Sequence, residues 1–310
     1  MTIVTGPGIY RDLPEGRYHA GDGRGARGTT GAGRMTVTIH RDFGQRSDDW
    51  YAARRGMVTA STIGQLVTVG APGADAYDCP ACTALIGTPC VSLRNGEPIK
   101  TTHPARVEVA SRMAGEVPPV LTIADGDVAH GVLSALAAER ISGVTEETPT
   151  TGDMWRGVIA EPFARDAYAE HVGLPVEEVA LIVRDLGNGL RIGYSPDGLV
   201  GDDGLVEIKA PRAKGHVDTV IRGEIPARHM AQLQTGLFVS GREWVDFVSF
   251  SGGLHLWVRR VELDPQWQAM IPAALAYAEA GITDRIEHYR AATSGLPLTE
   301  PLPTYDDITI

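Results

Sequence analysis

The stretch YSPDGLVGDDGLVEIKAP, residues 194–211, decides the fold of the region around it. Two short β-rich runs flank a Gly-Asp-Asp-Gly turn, a pattern typical of an antiparallel hairpin. A hairpin of this length brings Asp197 and Glu207 side by side. Because alternate residues of a strand share a face, Glu207 and Lys209 point the same way, and Ile208 between them points into the core.

Two carboxylates and one ammonium at one point are the side chains that hydrolysis with a hard cation requires. Mg²⁺ prefers oxygen ligands and keeps several of its waters. A neighbouring lysine can hold or deprotonate the attacking water and offset the charge of the transition state. Asp202 and Asp203 are explained by the turn alone. The simpler interpretation of the motif is a surface hairpin with one Glu–Lys pair.

The composition is that of a soluble globular protein, with 310 residues, 43% of them hydrophobic and 22% charged. This length corresponds to one large domain or two modest ones. The net charge of −11 argues against a chain coated with nucleic-acid-binding cations, although a local basic groove remains compatible with it. No apolar run is long enough to span a membrane, and the N-terminus lacks the pattern of a secretory signal. We therefore expect a cytoplasmic location.

The order of periodic segments predicts an α+β (α/β/α) fold, with a central mixed β-sheet flanked by helices. Residues 1–34 are rich in Gly and Arg and predict a flexible N-terminal arm. Residues 35–295 form the predicted single domain, with residues 70–106 as an insertion and 296–310 as a tail. Helices are expected in five segments, namely around 47–55, 58–67, 126–143, 151–173 and 227–241, and in a long sixth from Asp264 to Ala292. The β-rich runs 177–185, 189–195 and 205–211 predict a meander, and two further strands follow within 244–263.

The hairpin motif resembles the catalytic core of the PD-(D/E)xK nuclease superfamily, whose fold is restriction-endonuclease-like. Four further stretches resemble the lambda exonuclease / YqaJ-type viral recombinase family in the family's order. They are WYAARRGMVTAS at 50–61, RGVIAEPFA at 156–164, MAQLQ at 230–234 and GREWVDFVSF at 241–250. Each stretch is weak by itself, whereas the ordered set over about 41–264 is specific.

The resemblance implies a role for each matching residue. Glu161, Asp197 and Glu207 would be catalytic ligands of two Mg²⁺ ions, with Mn²⁺ as an alternative and the backbone carbonyl of Ile208 as a further ligand. Lys209 would position the nucleophilic water, and Gln232 would hold Lys209 or the water. Gln232 and Gln234 face different sides of their helix, so only Gln232 is assigned. Arg54 and Ser61 would bind the terminal 5′-phosphate of the substrate.

The function that the resemblance implies is a 5′-to-3′ exonuclease that digests linear double-stranded DNA in phage-type recombination. Members of the family form ring-shaped oligomers and work with a single-strand annealing protein, so both partners are expected here. One alternative is an endonuclease of restriction or repair type with the same fold. Another is a non-catalytic, zinc-containing DNA-binding protein, against which the intact set Asp197, Glu207 and Lys209 argues.

Three cysteines and a histidine lie close together in the sequence, within a Gly/Pro-rich stretch. Their spacing, Cys79-x₂-Cys82, Cys90 and then His103, predicts a closed structural Zn²⁺ site. The alternative is three reduced thiols in a loop. This segment departs from the lambda-type pattern, so we interpret it as an embedded zinc knuckle. Its basic residues Arg94, Lys100 and Arg106 are expected to touch the DNA backbone.

Overall fold

The computed structural model describes residues 10–11, 35–113, 118–145 and 151–300. The helices are α1 (Asp48–Arg54), α2 (Ala60–Leu66), α3 (Pro104–Met113), α4 (Asp127–Ser142), α5 (Gly152–Val172), α6 (Ala213–Arg222), α7 (Met230–Ser240) and α8 (Pro265–Ala292). The strands are β1 (Tyr10–Arg11), β2 (Thr36–His40), β3 (Val58–Thr59), β4 (Val67–Gly70), β5 (Val120–Ile123), β6 (Val176–Glu177), β7 (Leu181–Asp185), β8 (Arg191–Tyr194), β9 (Gly198–Val200), β10 (Gly204–Lys209), β11 (Trp244–Ser249) and β12 (Trp257–Glu262).

The largest sheet has six strands in the order β1-β12-β11-β10-β9-β6. It is mixed, because β10 and β11 run parallel while the other pairs are antiparallel. The parallel pair brings the indole of Trp244 against Gly204, where a Cβ atom would lie 2.1 Å from the ring. Only glycine fits at this position of the sheet.

The expected meander is divided between two sheets. Strands β7 and β8 pair with each other and join a four-stranded sheet of order β2-β7-β8-β3. The third run becomes β10 and belongs to the six-stranded sheet. Strands β4 and β5 form a separate antiparallel pair. The α+β class is therefore as predicted, but the strands do not form one sheet.

Helices cover both faces of the six-stranded sheet, which gives three layers. On one face, Val206 and Ile208 pack against Ala164 and Tyr168 of α5. On the opposite face, Leu205 belongs to the larger core together with residues of α7 and α8. Because successive residues of β10 alternate between the two faces, this strand is buried on both sides.

A buried carboxylate ties α5 to the sheet. Asp246 of β11 has no exposed surface. Its oxygens accept hydrogen bonds from the Tyr168 hydroxyl at 2.7 Å and from Arg260 at 2.8 and 2.9 Å. The Arg260 guanidinium also lies 3.5 Å from the centre of the Trp244 ring. A buried charge needs such partners, and these fix the position of α5 relative to the strands.

Capping residues define the ends of two long helices. Thr151 caps the N-terminus of α5, and Gly173 ends that helix with a left-handed φ of 70°. Asp264 caps α8 by accepting a hydrogen bond from Gln266 N. In the described part of the chain, no helix is both long and apolar enough to cross a membrane. The predicted arm, residues 1–34, lies outside the described residues except for β1, which pairs with β12.

Candidate active site and metal centre

The hairpin of β9 and β10 brings two of the predicted site residues together. Leu205 is the register partner of Leu199, and Val206 is that of Gly198. Just beyond this pair, the N–H of Ile208 donates a hydrogen bond of 2.5 Å to Asp197 Oδ2, which places the Asp197 carboxylate close enough to Glu207 to interact with its charge. Asp202 and Asp203 are exposed in the turn.

Glu207 is the most buried of the three predicted acidic ligands, with 2% of its side chain exposed. Its Oε2 accepts a hydrogen bond of 2.7 Å from the Tyr194 hydroxyl. Its Oε1 accepts one of 2.7 Å from Lys209 Nζ and one of 2.6 Å from Gln232 Nε2. The Gln232 amide oxygen accepts a further hydrogen bond from Lys209 at 3.1 Å. Glu207, Lys209 and Gln232 therefore form a closed triangle of hydrogen bonds.

Lys209 carries a positive charge in this arrangement. Burial alone lowers the pKa of its ammonium group, but the negative charges of Glu207, Asp197 and Glu161 outweigh burial, so the pKa ends above its ordinary value. A lysine with a raised pKa donates hydrogen bonds and neutralises negative charge.

Glu161 approaches the site from α5 and is held by two arginines. Arg165, one turn further along the helix, donates to Glu161 Oε1 at 2.7 Å and also to the backbone carbonyl of Asp197 at 2.9 Å. Arg46 donates to Glu161 Oε2 at 3.1 Å. Both carboxylate oxygens of Glu161 are thus paired with guanidinium groups.

Asp197 is strongly perturbed by its surroundings. Burial raises the pKa of its carboxyl group well above the usual range, and the negative charges of Glu207 and Glu161 add to this effect against the opposing Lys209. The metal-free protein therefore binds a proton at Asp197 more tightly than the unfolded chain does. A divalent cation would supply the positive charge that this carboxylate lacks.

The raised pKa of Asp197 predicts a pH dependence of stability in the absence of added divalent metal. The stabilising proton is fully bound below the unfolded pKa of about 4 and is lost as the pH rises through the higher folded value. Asp197 should therefore lower the free energy of unfolding as the pH rises, and this contribution should be missing in Asp197→Asn. Urea unfolding at a series of pH values measures this. The exposed Asp202→Asn is the control, and identical pH profiles for D197N and wild type would contradict the assignment.

The donor set suits a hard divalent cation. Asp197, Glu207 and Glu161 offer only oxygen ligands, which is what Mg²⁺ and Mn²⁺ prefer. The three carboxylates interact electrostatically, since Glu207 and Glu161 both raise the Asp197 pKa. Within the described residues, however, only the cysteine cluster brings three or more ligand atoms to within 4.8 Å of one another. Glu161 instead pairs with Arg46 and Arg165.

Arg54 and Ser61, the predicted phosphate ligands, lie at the end of α1 and in the first turn of α2. The Arg54 guanidinium stacks 3.9 Å from the centre of the Trp50 ring, and burial lowers its pKa. Among the described residues, none accepts a hydrogen bond from this guanidinium. The Ser61 hydroxyl is exposed and lies 2.9 Å from that of Thr59. The Arg54 donors therefore remain available for an anion.

The predicted zinc ligands converge. The ligand atoms of Cys79, Cys82, Cys90 and His103 all lie within 4.8 Å of one another. Burial opposes ionisation of Cys82, but backbone N–H groups and the two other thiols lower the pKa of Cys82 to about 7. Three thiols and an imidazole are the donor set of a closed tetrahedral Zn²⁺ site. The residues therefore fit a structural zinc ion.

The expectation that Arg106 contacts DNA is wrong, because its side chain is buried. Only 1% of Arg106 is exposed. Its guanidinium donates to four backbone carbonyls and one thiol, namely Tyr77 O at 2.7 Å, Thr88 O at 2.7 Å, Leu85 O at 2.9 Å, Asp75 O at 3.3 Å and Cys90 Sγ at 3.6 Å. Arg106 therefore organises the loops around the zinc ligands. Arg94 and Lys100 are exposed, as contact with DNA requires.

Four residues of the site are absent from the sequence-based prediction. Tyr194, Arg165, Arg46 and Gln45 either contact the predicted acids or fix the chain beside them. Gln45 donates to the carbonyls of Pro196 at 2.8 Å and Val179 at 3.1 Å and so anchors the turn that carries Asp197. Only Arg165 had a sequence signal, because it follows Glu161 by four residues on a helix.

Comparison with known proteins agrees with this geometry. Residues 122–243 match the model of the "YqaJ-like viral recombinase domain", and residues 45–121 match that of the "Putative DNA-binding phage zinc finger domain". A search of curated proteins finds no match.

Among solved structures, the fold is similar to that of an alkaline exonuclease, LHK-Exo, from Laribacter hongkongensis. The two chains are 27% identical, with a TM-score of 0.55, over 81% of this chain and 100% of that chain. A structure of LHK-Exo in complex with dAMP matches equally well. Residues 122–243 are therefore similar to a YqaJ-like viral recombinase domain, and the segment directly before them is similar to a phage zinc-binding domain.

Proposed function

We propose that the protein is a metal-dependent 5′-to-3′ exodeoxyribonuclease that digests linear double-stranded DNA in phage-type recombination. The observation that carries this proposal is the hairpin that brings Asp197 near Glu207, with Lys209 bound to Glu207 and Glu161 approaching from α5. The similarity to an alkaline exonuclease over the whole of that chain supports the same conclusion.

In the proposed mechanism, Glu161, Asp197 and Glu207 would hold two Mg²⁺ or Mn²⁺ ions, with the Ile208 carbonyl as a further ligand. Such ions activate water and stabilise negative charge on phosphate oxygens. Lys209 donates a hydrogen bond that orients the attacking water and offsets charge on the phosphate. Gln232 and Tyr194 keep Glu207 and Lys209 in place. The water oxygen bonds to phosphorus and releases a proton to solvent, the bond to the leaving 3′-oxygen breaks, that oxygen takes up a proton from solvent, and a 5′-mononucleotide is released.

The proposed function also involves contacts with DNA and with protein partners. The zinc-binding segment presents Arg94 and Lys100, which are proposed to contact the DNA backbone, since phosphate contacts of this kind contribute affinity without sequence preference. A ring-shaped homo-oligomer and a single-strand annealing partner remain predictions from the family resemblance, and a cytoplasmic location remains a prediction from the sequence pattern.

One assay tests the proposed activity. Purified protein with Mg²⁺ should degrade linear double-stranded DNA bearing 5′-phosphates to mononucleotides and leave covalently closed circular DNA intact. Cleavage of the circular DNA would favour an endonuclease with the same fold. Binding of DNA without any hydrolysis would instead favour a non-catalytic role.

The proposed 5′-phosphate site gives a second prediction. We expect wild-type protein to digest 5′-phosphorylated ends faster than 5′-hydroxyl ends, because the Arg54 guanidinium has no hydrogen-bond acceptor among the described residues. A charge-assisted hydrogen bond contributes about 1.5–3 kcal/mol, so Arg54→Ala should reduce the ratio of the two rates by about ten- to a hundredfold. Ser61→Ala should reduce it less.

The neighbouring Arg55→Ala is a matched control for this experiment, because Arg55 is exposed and belongs to the same segment. It removes the same charge but should leave the ratio of rates unchanged. Equal ratios for R54A and R55A would show that the terminal phosphate binds elsewhere.

A further inference from the structure

Arg46 has a backbone conformation that is unusual for its residue type. Its φ is 67°, in the left-handed region that glycine normally occupies. Both neighbours are fixed in the structure. The Gln45 side chain bonds to the carbonyls of Pro196 and Val179, and Ser47 caps α1. Strained residues of this kind cluster at functional sites, where surrounding contacts determine their conformation.

The strained backbone directs the Arg46 guanidinium to Glu161. Its NH2 atom lies 3.1 Å from Glu161 Oε2, while Arg165 takes Oε1 at 2.7 Å. The two arginines differ in how firmly they are held. The Arg165 side chain is 11% exposed and also bonds to the Asp197 carbonyl and to Glu178. The Arg46 side chain is 47% exposed, and Glu161 is its only hydrogen-bond partner among the described residues.

This asymmetry bears on how Glu161 could bind a divalent cation. A cation needs at least one carboxylate oxygen, and both oxygens of Glu161 are paired with guanidinium groups. Arg165 cannot leave without breaking its contacts to Asp197 and Glu178. Arg46 can leave Oε2 for solvent or for another anion at small cost, because exposed ion pairs are weak.

We propose that Arg46 occupies the cation position on Glu161 Oε2 and competes with the divalent metal ion, so that metal binding at Glu161 requires Arg46 to swing away. Arg46 is thus a positioning residue that sets how tightly the DNA-free protein binds metal. This inference rests on the proposed function, which assigns Glu161 to the metal site.

The test is direct measurement of Mn²⁺ affinity in the DNA-free protein, from the electron paramagnetic resonance signal of free Mn²⁺. Arg46→Asn keeps a residue that tolerates the left-handed conformation but removes the charge. We expect it to bind Mn²⁺ about three- to tenfold more tightly than wild type, since a competing cation is lost. Arg46→Lys keeps the charge and should stay close to wild type.

Arg41→Asn is the matched control, because Arg41 is exposed to a similar extent and forms its 2.6 Å ion pair with Glu177, which is not one of the predicted metal ligands. It removes the same net charge and should leave the Mn²⁺ affinity unchanged. Equal Mn²⁺ affinity in R46N and wild type, or an equal gain in R41N, would overturn this inference alone. Absence of Mn²⁺ binding in the wild-type protein would overturn the proposed function together with it.

Discussion

Replacing Lys209 with alanine is expected to slow digestion of linear double-stranded DNA by about 10²- to 10³-fold, the usual cost of removing one preorganised donor from a charged transition state. Lys209 is held by Glu207 at 2.7 Å and by Gln232 at 3.1 Å, and the negative charges around it raise its pKa above the ordinary value. Its loss also leaves Glu207 buried without a cationic partner. The rate of mononucleotide release under saturating Mg²⁺ measures the effect.

Lys214→Ala is the control for this experiment, because Lys214 is exposed in the first turn of α6, five residues from Lys209. It should digest DNA at the wild-type rate. Thermal unfolding of both variants separates loss of chemistry from loss of structure. Digestion by a folded K209A at close to the wild-type rate would exclude the proposed role of this ammonium group.

Loss of the zinc ion should have the second large effect, confined to residues 71–113. We expect one Zn²⁺ per chain in the wild-type protein and much less than one in His103→Asn, because a closed site depends on all four ligands. In the described structure, no residue between 71 and 113 belongs to any of the three apolar cores. Metal binding therefore has to supply most of the folding free energy of this segment, and zinc-finger peptides gain about 10–16 kcal/mol in this way.

Elemental analysis and limited proteolysis measure the two parts of this prediction. H103N, or wild type treated with a zinc-selective chelator, should be cleaved rapidly within residues 71–113. His130→Asn is the matched control, since His130 is half-exposed on α4 and pairs with Asp125 rather than with a thiol. Full zinc content in H103N would mean that the four residues do not form the site.

Local pattern was sufficient to predict the centre of the candidate site. A tight turn fixes the register of a hairpin, so the positions of Asp197, Glu207 and Lys209 follow from the sequence between 194 and 211. The choice of Gln232 over Gln234 also follows from local geometry. Gln232 reaches Glu207, whereas Gln234 is completely buried and donates to the Glu262 carbonyl at 2.8 Å.

Contacts between distant parts of the chain could not be predicted in this way. The parallel pairing of β10 with β11 depends on a crossover through α6 and α7, and no local signal separates it from an antiparallel arrangement. Arg46 is 115 residues away from Glu161 in sequence. Arg106 was predicted to contact DNA together with Arg94 and Lys100, because all three are basic. The charge of a residue does not show whether its side chain faces solvent or is buried against backbone carbonyl groups.

The pairing of β4 with β5 has a consequence for how this protein is assembled. Gly70 and Val120 are register partners, so the chain leaves the larger domain and returns to it at two residues that face each other in one antiparallel pair. In topological terms, β4 and β5 form a β-hairpin, and the zinc-binding segment is the long connection between its two strands. The free-energy cost of closing a loop rises only slowly with the length of the loop. The connection between β4 and β5 can therefore be gained, lost or exchanged while the rest of the fold stays intact.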